Sequence, residues 1–530
     1  MRGSVTGAAH PRTRRGESAS ATPPDPVTHG GAVFWLEEAM ALDPGRACPP
    51  LAGHVHADVC IVGGGYLGLW TAIELLETAP DTRVVLIEAQ GCGFGASGRN
   101  GGWATGWHDE LDAIIHRFGT EEGLRLAERS SWAIGRVAEF CEARGIDCRM
   151  RRRGALKAAV TSAQIGKWRP VVELCRAHGR GSLYEEVDGA ELRRLTGSPL
   201  PLAGVSQTDG GTLHPALLVR GLRRVALEVG TRIYEATPML ALERGAPCRV
   251  RTPAGIITAD QVVLATGAWM ASIRELRRAI VPVGSTIVVT EPLGERLLAR
   301  GFADGYGIGD GRLTVHYMQV TREGRLIFGR GGGPLGAAGR VVPAHMHDPR
   351  TVRSVIGDLR RWYPDLADAR ITHAWGGPVD RAPGHLPFIG SLGDHGTVHY
   401  ASGLSGNGVA PSAYLGRVLA KAVLGVDDAD TRSSLTWGPP AYLPPEPVRS
   451  VGGMLVRGAV ELVEAAEERG HQMHANRLLK KLIAVTVPLR LEPRPTAGRP
   501  AVDRRAPVGD GENPPVASVD RLHRGQKGRM

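Results

Sequence analysis

An α/β fold is predicted for this chain: one domain on a parallel sheet, and a second, α+β domain on a mostly antiparallel sheet. Three stretches predict it. Asp58-Val-Cys-Ile-Val62 is an apolar strand that runs into Gly63-Gly-Gly-Tyr-Leu-Gly68, a helical segment 69–76 and a second apolar strand, Arg83-Val-Val-Leu-Ile-Glu88. Gln261-Val-Val-Leu-Ala-Thr-Gly267 reads as a buried strand that returns the chain to the first sheet. Segments 285–290, 313–320 and 325–328 alternate as half-buried strands do, which suits antiparallel pairing.

Each part of the first unit has a mechanical reason. Gly63 allows the tight turn out of the strand. Gly65 has no Cβ, so a pyrophosphate can approach the backbone across Tyr66 and Leu67, and Gly68 lets the helix pack closely on the strand. The helix N-terminus offers free N–H groups and the positive end of a dipole. Glu88 follows Gly68 by 20 residues, where a carboxylate can hold ribose hydroxyls. The unit is therefore Rossmann-like and binds a dinucleotide. Gly331-Gly-Gly-Pro-Leu-Gly336 repeats the glycine pattern with Pro334 inside it and no strand ending in an acid behind it, so it reads as an ordinary loop.

Behind Glu88 lies Gly91-Cys-Gly-Phe-Gly-Ala-Ser-Gly-Arg-Asn-Gly-Gly102. Five of the eleven residues 91–101 are Gly. Such a segment cannot pack a core, but it can wrap N–H groups, the Ser97 hydroxyl and the Arg99 guanidinium round an anion or a planar ring. Cys92 reads as a small buried thiol.

The chain has 530 residues, 42% hydrophobic and 22% charged, enough for several domains with a large core. Much of its formal charge of +10 lies in residues 1–30 and 488–530, which read as disordered tails. No zinc-finger, RNA-binding or base-stacking pattern accompanies them, so no nucleic-acid partner is expected. Seven Cys, all at or before Cys248 and without paired spacing, suggest free thiols. No apolar run is long enough for a transmembrane segment, and Arg14-Arg15 is not followed by an apolar leader region, so a cytoplasmic protein is expected.

In chain order, 33–42 suits a short surface helix, and 109–145 is helical. Arg151-Arg-Arg153 precedes a strand at 155–160 and reads as a solvated edge or the mouth of an anion-attracting pocket. His214-Pro215 opens a helix to about 229, with His214 as cap or support. The segments 249–251 and 255–258 suit a hairpin. Helices are expected at 350–362, 411–424 and after 450, the last with a partner at 476–486. Ser402-Gly-Leu-Ser-Gly-Asn-Gly408 is a second glycine turn at a helix N-terminus. The expected divisions are a dinucleotide domain from 57–110, 206–275 and 375–425, a substrate domain from 111–205 and 276–374, and a helical segment at 440–487. Alone, these features allow NAD or FAD; the second glycine turn far downstream favours a flavin with two contact regions.

These motifs, with Ala265-Thr-Gly-Ala-Trp269 and Leu386-Pro-Phe-Ile-Gly390, resemble the D-amino-acid-oxidase type of FAD-dependent amine oxidoreductases, and most of all the branch of the γ-glutamylputrescine oxidases. The resemblance implies that Gly63, Gly65 and Gly68, with Tyr66 and Leu67, line the pyrophosphate, and that Glu88 binds the adenosine ribose. Ala96, Ser97, Arg99, Asn100, Gly101 and Gly102 would wrap the pyrophosphate–ribityl–flavin region. Pro238 and Met239 would pass the adenine, and Thr266 and Gly267 would close the cofactor domain. Gly403, Leu404, Ser405, Gly406, Asn407 and Gly408 would sit near the flavin N1–C2=O edge, where a helix dipole stabilises developing negative charge. Relatives with covalent flavin need a Cys before the Leu386 region or a His in the loop where this chain has Arg99-Asn100, so non-covalent FAD is expected. No metal is expected.

The implied reaction is hydride transfer from a small amine or amino-acid-like substrate to flavin N5, with hydrolysis of the imine and reoxidation by O2 or another acceptor. His316, Tyr317, Arg330, Trp375 and Arg381 are the candidate substrate-face residues. The alternatives are an NAD-dependent dehydrogenase and a flavin-binding protein without amine oxidation.

Overall fold

The computed structural model describes residues 25–28, 30–299 and 305–470. The C-terminal tail, most of the N-terminal one, and the partner helix expected at 476–486 lie outside them.

The first unit forms strand Gly53–Val62, helix Tyr66–Thr78 and strand Val84–Ile87. The helix is apolar nearly all round: Leu69, Trp70, Ala72, Ile73 and Leu75 are fully buried. That composition needs cover on every side. The sheet supplies it on one side, and helices Pro215–Glu228 and Pro411–Val423 supply it on the other. In the first sheet the neighbours run Phe388–Leu392, Val398–Ser402, Gly255–Leu264, Gly53–Val62, Val84–Ile87, Arg232–Tyr234. All pairs are parallel except the Phe388–Leu392 edge. Cys248–Arg251 forms the expected hairpin with Gly255–Leu264.

The second sheet has eight strands in the order Ile371–Arg381, Val281–Thr290, Leu326–Arg330, His316–Val320, Gly307–Asp310, Ala155–Ala159, Ala203–Gln207, Tyr184–Asp188. One pair is parallel, Gly307–Asp310 with Ala155–Ala159; the others are antiparallel. Alternation along each strand decides what the two faces meet. Val288, Met318 and Phe328 pack beneath helix Pro349–Trp362. Ile287, Val289, Ile327 and Trp375 turn the other way, into the core shared with the first sheet's helices. Full burial of such a side chain contributes on the order of 1.5–3 kcal/mol, so a one-residue slip would forfeit both layers.

Three expectations need correction. The segment 109–145 is two helices, Leu111–Phe118 and Thr120–Ala143, because Gly119 at φ 84° breaks the ladder. Helix Phe34–Leu42 is superficial only at its C-terminal end, where Met40 and Leu42 are exposed: Phe34 and Trp35 are 6% and 1% exposed, since its aromatic end enters the main core. Strand Ile371–Arg381 pairs with Val281–Thr290 along its length, so it crosses position 375, where a return to the first domain was expected. Among the described residues no helix is long and apolar enough to cross a membrane.

Candidate active site

Backbone geometry builds the first turn. Gly63 takes φ 114°, and a β-carbon on Gly68 would lie 2.0 Å from the Gly63 carbonyl oxygen. Helix and turn approach so closely that only hydrogen fits. The Ser97 hydroxyl accepts the Tyr66 N–H at 2.9 Å, tying the next loop to the helix start. The Gly65 N–H has no acceptor among the described residues, and the helix behind it begins with N–H groups that lack intrahelical partners. Glu88 accepts the Gly64 N–H (2.8 Å) through one carboxylate oxygen and the Gln90 N–H (3.0 Å) through the other. Burial raises its pKa against the effect of those bonds. Each oxygen keeps a further lone pair for a hydroxyl. Pro238 and Met239 follow Thr237, whose N–H binds the Glu88 carbonyl at 2.8 Å, so that segment crosses the same strand end.

The loop after Glu88 is held by its own polar groups. The Asn100 amide donates to the Ala96 and Ser97 carbonyls and accepts the Gly102 N–H at 2.8 Å. The Asn100 carbonyl accepts the Trp35 indole N–H at 3.0 Å. Arg99, 5% exposed, donates to the Phe94 and Gly376 carbonyls at 2.6 and 3.1 Å and has no carboxylate partner among the described residues. Burial pulls its pKa down to about 10. A buried cation without a counter-ion is costly. Together with the unpartnered turn N–H, it makes the donor set fit an anionic dinucleotide such as FAD. On the far side of the turn Gly267 takes φ 52° after Thr266, and the Trp269 ring reaches toward Gly95.

The second turn carries a residue that sequence reasoning missed. Oδ2 of Asp380 accepts the Gly403 N–H (2.7 Å), the Leu404 N–H (3.2 Å) and the Ser402 hydroxyl (3.3 Å). Burial raises the Asp380 carboxyl despite these donors. The turn passes through Ser405 at φ 55° and Gly406 at φ 98°, and the Ser405 hydroxyl accepts the Ala382 N–H at 3.1 Å. Asn407 donates to the Gly106 carbonyl at 2.8 Å, joining this turn to the segment that follows the Arg99 loop. The N–H groups of Gly406, Gly408 and Val409 have no acceptor among the described residues and stand just before helix Pro411–Val423. An acid one residue before Arg381, inside an apolar strand, was the available signal for Asp380.

The five substrate-face candidates separate by strand alternation. Tyr317 faces the loop: a β-carbon at Gly101 would lie 2.6 Å from its ring, and its hydroxyl is 2.6 Å from that of Ser285. Burial pushes the phenol up to about 12. Trp375 points the same way but is fully buried, its indole donating to the Arg99 carbonyl at 2.9 Å, so it props the loop. Gln319, also missed, donates to the Gly101 carbonyl at 2.7 Å. Arg381 lies two residues beyond Val379, whose side chain reaches toward Gly406. Its guanidinium has no hydrogen-bond or ion-pair partner among the described residues; burial lowers its pKa, opposed by the charge of Glu110.

His316 and Arg330 are corrected. They pair across the sheet on the helix side, where His316 sits 2.7 Å from Asp310 and 3.1 Å from Asp358, and Arg330 is 3.1 Å from Asp358. Even-numbered positions of that strand simply face away from the loop. His214 caps its helix, accepting the Leu217 N–H at 3.1 Å. Arg151 lines a half-open cavity of about 520 Å³ with Trp35, Arg149, His214 and Gln319, which neither Arg381 nor the second turn borders.

Over residues 58–422 the chain matches the DAO family, described as FAD dependent oxidoreductase. It is similar to a probable oxidoreductase OrdL of Rhizobium meliloti, 32% identical over 407 residues that cover 76% of this chain and 90% of that protein. It is also similar to the gamma-glutamylputrescine oxidoreductase of Escherichia coli, 30% identical over 375 residues, 70% of this chain and 84% of that one. In fold it resembles the crystal structure of glycine oxidase from Geobacillus kaustophilus, with TM-score 0.57, 21% identity, and coverage of 72% of this chain and 99% of that chain. With both glycine turns, Glu88 and Asp380 inside the matched span, the chain belongs to the DAO family of FAD dependent oxidoreductases.

Proposed function

We propose that this enzyme oxidises a carbon–nitrogen bond of a small amine or amino-acid-like substrate that carries an anionic group, with FAD held non-covalently. The observation that carries the reading is Arg381, a half-buried residue whose guanidinium has no hydrogen-bond or ion-pair partner among the described residues, on the strand whose Val379 side chain reaches the second glycine turn. Relatives named for gamma-glutamylputrescine and for glycine support an amine-bearing substrate.

Gly65, Tyr66, Leu67, Gly68 and Glu88 would hold the nucleotide half of the cofactor, with Pro238, Met239, Thr266 and Gly267 beside it. The segment from Ala96 to Gly102 and the turn from Gly403 to Gly408 would hold the flavin half. FAD, when bound, supplies the two-electron acceptor at N5 for the substrate's α-hydrogen, leaving an imine that water hydrolyses. The protein's own part is placement. Arg381 anchors the substrate's anion and so fixes which C–H bond is presented. Tyr317, protonated at neutral pH and bonded to Ser285, forms a wall and takes no proton. The substrate therefore binds as the neutral amine, since no described side chain here is suited to strip a proton from an ammonium. The N–H groups of Gly406, Gly408 and Val409, aimed by Asp380, present fixed donors to negative charge.

An anaerobic panel of polyamine conjugates, N-methyl amino acids, amino acids and aminophosphonates tests this. One acid-bearing class should bleach the visible flavin band, and Arg381→Leu should raise KM for it about tenfold or more while leaving flavin content intact, the worth of one charge-assisted bond. A panel in which no amine bleaches the band would overturn the reading. Oxygen uptake during turnover separates O2 from another acceptor. Acid precipitation should leave a colourless pellet and a yellow supernatant.

A further inference from the structure

The end of helix Thr120–Ala143 joins two thiols that stand seven residues apart in sequence. Gly145 takes φ 60°; its N–H returns to the Glu142 carbonyl at 3.2 Å, and the Ile146 N–H returns to the Cys141 carbonyl at 2.8 Å. This paired bonding round a left-handed glycine is the Schellman helix stop, which reverses the chain. Ile146 then packs onto Gly221. The reversal lays Cys148 back on Cys141 with sulfurs 3.6 Å apart, the residues 1% and 5% exposed. Spacing alone suggested no pair; the helix stop makes one.

We propose that Cys141 and Cys148 are a redox-active dithiol, closed to a disulfide by peroxide-class oxidants, whose closure is felt at the FAD-binding turns. One thiolate attacks a peroxide oxygen; the O–O bond breaks, giving a sulfenic acid and water. The second thiol attacks that sulfur, the S–S bond forms, and hydroxide leaves and takes up the thiol proton, so two thiols and one peroxide give one disulfide and two waters. The S–H of one sulfur bonded to the other eases the first deprotonation at Cys148 and holds the proton at Cys141. The turn 142–145 that joins the two cysteines is exposed, and helix ends open locally at low cost.

The consequence follows from what Cys148 holds. A disulfide needs its sulfurs roughly 2.05 Å apart, so closure draws the segment around Cys148 toward the helix. The Cys148 carbonyl accepts the His214 N–H at 2.8 Å. The next residue's carbonyl, on Pro215, accepts the Tyr66 hydroxyl at 2.9 Å, and Tyr66 starts the helix behind the first glycine turn. Arg149 is 3.3 Å from Glu38, on the helix whose Trp35 holds the Asn100 carbonyl. Both branches of the cofactor cradle thus hang on this turn.

The test uses the full-length, flavin-loaded protein treated with hydrogen peroxide and then alkylated. The expected product is a peptide linking Cys141 to Cys148, lighter by about 2 Da and restored by dithiothreitol. A severalfold change in FAD dissociation, read by flavin fluorescence, should accompany it and be absent in Cys141→Ser and in Cys148→Ser. If both cysteines stay alkylatable after unfolding while other thiols oxidise, the dithiol is overturned. If the link forms with FAD dissociation unchanged, the coupling is overturned. Neither outcome bears on which amine is oxidised.

Discussion

Each of the two glycine turns, 63–68 and 403–408, donates backbone N–H to a carboxylate from a neighbouring strand, but the two carboxylates are used differently. Glu88 takes one backbone donor on each oxygen and lies at a strand end that remains partly open. Asp380 gathers three donors on one oxygen inside the core. The first acid keeps acceptor capacity where a ligand can reach it; the second, closed inside the core, commits Oδ2 to the loop. A carboxylate beside a glycine turn can therefore be a ligand group or a loop clamp, and its access to the surface separates the two.

Breaking the clamp should have the largest effect. Asp380→Ala strands two N–H groups and a hydroxyl, each costing about 1–3 kcal/mol when buried unpaired. Flavin-free protein should lose about 3 kcal/mol or more in urea unfolding, and Asp380→Asn should retain part of it. A loss under about 1 kcal/mol would mean the carboxylate is not what holds the loop. Next comes Gly68→Ala, which forces a methyl against the Gly63 carbonyl. Overpacking of this kind costs about 1–3 kcal/mol, and FAD affinity should fall with it in equilibrium dialysis.

Glu88→Gln sharpens the contrast from the other side. The amide can replace only part of the internal bonding, yet the main loss should be in ligand binding. FAD affinity should drop about tenfold, or about 1.4 kcal/mol, in a fluorescence titration, with a smaller change in flavin-free stability. If stability fell more than affinity, Glu88 would be a clamp like Asp380.

The smallest effect is a control remote from both turns. Burial alone would lower the His316 pKa, but its bonds to Asp310 and Asp358 raise it overall. A raised folded pKa contributes stability that is complete below the unfolded value near ~6.5 and is lost as pH rises through the folded value. Asp358 is depressed: burial is outweighed by His316 and the neighbouring Arg side chains, so its contribution fades as pH falls. Urea midpoints should decline on both sides, and His316→Gln should flatten the alkaline limb while leaving FAD affinity unchanged.

Much of this was legible in the chain itself. Strand, turn, helix and acid from Asp58 to Glu88 read correctly because a tight turn under a closely packed helix admits few residue types. The antiparallel second sheet was legible from its period of two. The misreadings had physical causes. His316 and Tyr317 are neighbours, and alternation sends them to opposite faces; no local pattern says which face meets the loop. Trp375 looked like a substrate-face aromatic, but its indole is used up on the Arg99 carbonyl.

By itself the sequence determined whatever depends on one segment's backbone: the two glycine turns, their helices and the acid at the end of the second strand. Only the tertiary structure decided which side chains share a space. Pairings such as Asp380 with Gly403, Gln319 with Gly101 and Arg99 with Gly376 join segments up to 277 residues apart. Such contacts depend on sheet register and on which face of a strand is turned inward, and these are set by burial summed over the whole core rather than by any residue's neighbours in the chain.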